Sequence, residues 1–116
     1  MTDDDLRKYL DLDEDDLLEL LGAEILGTGR DFGPEDFERQ IRFARQWLQR
    51  RRRDLQDKLC GSVLETITKR EETDTLADAA AIADALAAML GKPSASIAAV
   101  ILLRRGLTSL CTDAAT

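Results

Sequence analysis

No histidine occurs among the 116 residues of the chain. That excludes imidazole acid–base catalysis and any His-ligated metal site. Cysteine is nearly as scarce. Cys60 and Cys111 are the only two, with no C-x-x-C spacing, so a disulfide-rich secreted scaffold is excluded. Aromatic residues make up 4% and prolines number two. The longest strongly apolar run, 97–103, falls far short of the roughly 20 residues needed to span a bilayer, so no membrane segment is expected. Period-2 alternation and Asn-Gly or Asp-Gly hairpin signals are also missing, which argues against a sheet.

What remains is an apolar, charged, helix-forming chain. Hydrophobic residues make up 44% and charged residues 34%, too apolar for a wholly disordered protein. The acidic opening, Met1-Thr2-Asp3-Asp4-Asp5, lacks the basic-then-apolar pattern of a secretory leader. A cytoplasmic location is therefore expected, with Cys60 and Cys111 as reduced, buried thiols. Arginine outnumbers lysine twelve to four, which points to a GC-rich bacterial source.

Helical spacing runs almost throughout the chain. A short helix is expected over 3–10, and a second over 14–26 with Asp13 as its N-cap. The longest is expected from Pro34 to Cys60 without interruption. Its inward face is Phe37, Ile41, Ala44, Leu48, Leu55 and Leu59, with Phe43 and Trp47 as a second pair beside it. Gly61 reads as its C′ residue, and Ser62 with Glu65 as the capping box of a short helix over 63–70. A fifth helix covers 76–91, capped by Asp74 or Thr75 and ended by Gly91. The sixth, over 93–111, is apolar on all sides from 97 to 103 and is expected at the centre. The favoured reading carries it through Gly106. The fold class is thus all-α: one domain, 1–116, a compact bundle of four main helices with two short additional ones. Residues 1–12 are expected to form a loosely packed N-terminal helix, and 112–116 a frayed tail.

Charge is the unusual feature. Residues 1–38 carry 3 basic and 14 acidic side chains, a net −11; residues 39–58 carry 8 and 2, a net +6; residues 59–116 carry 5 and 7, a net −2. The total of −7 therefore conceals one basic region on the long helix. Its centre is Arg50-Arg51-Arg52-Arg53, and four consecutive helical residues span about 300°, so at least one must lie along the packed side. Arg42, Arg45, Arg50 and Arg53 recur at helical spacing as an outward stripe.

Other chemistries fail on spacing. The run from Asp11 to Asp16 lacks the glycine and glutamate of an EF-hand calcium loop, since Asp16 and Gly22 stand there. The Gly27-Thr28-Gly29 segment lacks the Gly-Lys-Ser/Thr of a phosphate loop. Neither a cofactor nor a metal is expected. The sequence therefore reads as a non-enzymatic interaction module or accessory subunit, alone or as a homodimer. Its candidate partner-binding residues are Arg42, Arg45, Trp47, Arg50, Arg52 and Arg53, facing an acidic protein surface or a second copy of the chain. The alternative is a nucleic-acid-binding regulator using the basic helix 39–58, against which stand the overall charge and the lack of a helix-turn-helix or aromatic platform.

Overall fold

The computed structural model describes residues 3–26, 34–70 and 74–114. Among them are eight helices: α1 (Asp3–Leu10), α2 (Glu14–Leu26), α3 (Pro34–Arg50), α4 (Arg52–Leu59), α5 (Ser62–Thr68), α6 (Thr75–Leu90), α7 (Lys92–Arg105) and α8 (Leu107–Ala114). The described residues contain no strand.

Two caps expected from the sequence are in place. The Asp13 carboxylate accepts from the backbone N–H of Asp16 at 2.8 Å, and that of Asp74 from Ala77 at 3.0 Å. Each satisfies an N–H that the first turn leaves without a partner. Gly91 closes α6 with φ +79°, a conformation that favours glycine, and its carbonyl starts α7 by accepting from Ala95.

The core is built around α7. Residues 94–102 are all buried, so no face of this stretch meets water. α6 lies along it with Ala79, Ala83 and Leu86 buried; α2 packs on another side with Leu17, Leu18 and Leu21. Leu6 of α1 joins the core, and Tyr9, Leu10 and Leu12 pack against it. α3 reaches the core chiefly through α2. That contact is close at one point: a Cβ on Gly22 would lie 2.4 Å from the backbone oxygen of Gln40.

The bundle departs from the expected four-plus-two arrangement at two breaks. The long helix is not continuous. Arg51, at φ −91° and ψ 3°, separates α3 from α4. Its N–H still bonds the Trp47 carbonyl, and the ladder resumes with Leu55 bonding the Arg51 carbonyl, both at 2.9 Å. The cause is a conflict of burial. A straight helix would carry Arg51 and Arg52 into the stripe of Leu48, Leu55 and Leu59. With the break, Arg51 is exposed and Arg52 half-buried, while all three leucines stay buried. The second break is at Gly106, where the helix expected to continue instead stops at φ +95°. The Gly106 N–H bonds the carbonyls of Leu102 and Leu103, and the turn sends Leu107 into the core.

Three smaller expectations are corrected. Phe37 is not inward-facing but 42% exposed. Ser62 lies inside α5 and makes no capping bond; Gly61 occupies the N-cap at negative φ and is not a left-handed C′ residue. α8 runs on to Ala114, and residues 115–116 of the expected frayed tail lie outside the described residues. The glycine segment 27–29 lies outside them too.

The cysteines are not free thiols. Cys60 and Cys111 form a disulfide, with Cα atoms 5.3 Å apart. It ties the end of α4 to α8, beside a hydrogen bond from the Gln56 side chain to the Leu110 carbonyl at 3.0 Å. Structural disulfides persist in oxidising surroundings, which removes the reduced-thiol argument for a cytoplasmic location. No helix of the described residues is long and apolar enough to cross a membrane.

Two stability predictions follow from this packing. The bridge spans a sequence separation of 51, for which loop-closure entropy gives about 4 kcal/mol. Urea unfolding of Cys60→Ser/Cys111→Ser should therefore show a midpoint well below that of the oxidised protein, and an unchanged midpoint would contradict the bridge. Gly22→Ala should destabilise by about 1–3 kcal/mol, because the backbone of Gln40 must move. Thermal unfolding followed by circular dichroism measures this.

Candidate arginine docking face

The basic segment occupies α3 and α4, and its side chains divide into three sets. The first is the outer face. Arg42, Gln46, Gln49 and Arg53 are exposed and follow each other at four-, three- and four-residue steps, with exposed Arg50 beside Gln49. Arg42, Arg50 and Arg53 make no ion pair or hydrogen bond through their guanidinium groups among the described residues.

The second set lies on the flank toward α7 and α8. Arg45 pairs with Asp15 at 3.3 Å, and Arg105 of α7 pairs with Glu14 at 2.7 Å. The acidic N-terminal segment thus neutralises part of the basic region within the same chain. Arg104 bonds the Leu10 carbonyl and fixes α1 to the end of α7. Between these helices runs a groove of about 410 Å³. Its floor is apolar, from Leu48, Leu55, Leu102 and Leu110, and Arg45, Arg52 and Arg105 stand around it. Gln49 of α3 and Ser109 of α8 also line it.

The third set faces the opposite flank. Trp47 is half-buried against the core, with the Arg51 guanidinium 5.7 Å from its ring centroid. A cation in that position is attracted by the ring quadrupole. Arg51 also pairs with Asp54 at 3.6 Å. Trp47 lines a hollow with Glu24, Ile25, Met89 and Leu90, and none of Arg42, Arg45, Arg50, Arg52 or Arg53 borders that hollow.

The six residues expected to bind a partner therefore fall into three groups. Arg42, Arg50 and Arg53 share the open face. Arg45 and Arg52 border the groove, and Arg52 is already engaged within the chain. Trp47 does not line the groove and borders the separate hollow instead. Sequence reasoning also missed Arg105, at the end of α7, and Ser109, which follows the turn at Gly106.

Elsewhere, one carboxylate is buried. Asp78 of α6 is 6% exposed, and Arg70 holds it with Nε 3.3 Å from the carboxylate. Among the described residues, no cluster of three or more His, Cys, Asp or Glu stands close enough to hold a metal ion. No protein-family model matches the chain, and no curated protein or solved structure matches it either.

The exposed pairs are weak and exchangeable. Arg45 and Asp15 are 56% and 68% exposed, a setting in which ion pairs contribute about 0–1 kcal/mol. A double-mutant cycle with Arg45→Gln and Asp15→Asn should return a coupling below about 1 kcal/mol that fades with added salt. The Arg70–Asp78 pair, whose carboxylate is buried, should behave differently. Arg70→Met strands the Asp78 carboxylate and should cost about 1–3 kcal/mol in chemical unfolding.

Proposed function

We propose that the protein is a small, non-enzymatic helical interaction module. It docks an acidic protein surface, on another protein or on a second copy of itself, against the open arginine face of α3 and α4. One observation carries this reading: the basic segment's charge is unequally used. Arg45 and Arg51 meet carboxylates of the chain, whereas Arg42, Arg50 and Arg53 meet none among the described residues. This is so although acidic residues outnumber basic ones 23 to 16. A helix face serving only to hold the fold together would be served by carboxylates already in the chain. Guanidinium groups spaced along α3 and into α4 suit repeated carboxylate contacts, each a planar fork that can bind a carboxylate through two N–H groups.

Trp47 is no part of the open face in this reading; its place is on the Arg51 flank. The sequence holds no histidine to serve as an acid–base group, and this reading assigns the chain a binding role.

The test compares the native protein with Arg42→Gln/Arg50→Gln/Arg53→Gln. Light scattering at low and high salt reads self-association, and calorimetric titration with poly-glutamate reads carboxylate docking. Three exposed contacts at 0.5–1 kcal/mol each amount to roughly a 10- to 100-fold loss of affinity in the variant. Affinity unchanged in the variant would overturn the reading. So would a DNA duplex that binds more tightly than poly-glutamate and with a steep salt dependence, in favour of nucleic acid.

A further inference from the structure

The groove beside the open face adds a second recognition element. We infer that it takes a leucine-like side chain of the docked partner, so that the partner is an acidic amphipathic segment rather than a uniformly charged one. The inference rests on the docking reading above.

Four observations carry it. First, the groove and the face share residues. Gln49 stands exposed in the row of Arg42 and Arg53 and also forms a wall of the groove. A segment lying on the arginines therefore has the groove beside it, with no intervening helix. Second, the floor is hydrocarbon: Leu48, Leu55 and Leu102 are 4%, 1% and 5% exposed, with Leu110 half-buried over them. An apolar side chain entering there sheds water from itself and from the leucine edges.

Third, the groove's edge already holds carboxylates. Glu14 sits on Arg105 and Asp15 on Arg45, both in exposed positions. The chain's own acidic segment thus displays the chemistry these arginines accept, and a partner's carboxylates enter by exchange with weak pairs. Fourth, the groove is preformed. Its walls on α4 and α8 are joined by the Cys60–Cys111 bridge and by the Gln56–Leu110 hydrogen bond. Little ordering is left to oppose binding. An anchoring side chain in an apolar slot, ringed by charge, is the common anatomy of a protein docking site.

The experiment uses the full, oxidised protein and two short synthetic peptides. One repeats Glu-Leu-Glu-Glu; in the other every leucine is serine. Amide chemical shifts are followed during titration of each. The leucine peptide should move Gly106, Ser109 and Leu110 and bind about tenfold or more tightly than the serine peptide. Ser109→Phe and Gln49→Phe each add bulk to the groove at an exposed lining position, one on α8 and one on α3. Both should fold normally by circular dichroism, and both should erase the advantage of leucine over serine.

Equal affinities, with shifts confined to the neighbourhood of Arg42, Arg50 and Arg53, would overturn the groove inference and leave the docking reading standing. The same holds if the leucine advantage survives both filled variants, or if leucine-specific shifts appear around Trp47 instead. Failure of both peptides to bind would overturn the two readings together.

Discussion

Everything in this fold is arranged around the complete burial of one stretch of backbone, residues 94–102 of α7. A helix with no wet face needs apolar cover on every side, and that cover comes from the helices packed around it. α6 offers alanines, which let the two backbones run close. α2 offers three buried leucines, and α1 adds Leu6. α2 leaves Asp15, Asp16 and Glu24 exposed, whereas α6 keeps Asp78 buried beside Arg70.

The same constraint explains the two breaks. α3 and α4 have to present Leu48, Leu55 and Leu59 to the interior while carrying four arginines in a row. One straight helix cannot do both, so the chain turns at Arg51. At the far end, α7 has to stop being buried. Gly106 permits the turn into left-handed backbone, and α8 folds back until Cys111 meets Cys60. The arginine face and the groove lie where these two turns converge. The candidate site is therefore produced by the core's demands and does not sit on a separate motif.

Local chemistry was legible in the sequence. Asp13 and Asp74 cap the helices they were expected to cap, because a cap depends on residues two or three positions away. The apolar run 97–103 pointed to a central helix because its periodicity is lost on all faces. What escaped was decided at longer range. No glycine or proline marks Arg51; its break follows from where distant leucines must go. Gly106 was visible, yet whether it sits within a helix or ends one depends on what Leu107 packs against. The bridge joins cysteines 51 positions apart, which topology alone brings together. At the site, composition located the basic segment but not its division. Arg45 is engaged by a carboxylate 30 positions away, and Arg105 by one 91 positions away, so no local pattern separates them from Arg42, Arg50 and Arg53.

The most direct test of this account is native-state hydrogen exchange read amide by amide. The backbone N–H groups of residues 97–102 should be the slowest in the molecule, opening only with global unfolding, while those of α5, which buries no residue fully, exchange through local opening. If residues 97–102 exchange as fast as α5, the central helix does not organise the fold, and the derivation of the arginine face from it is wrong.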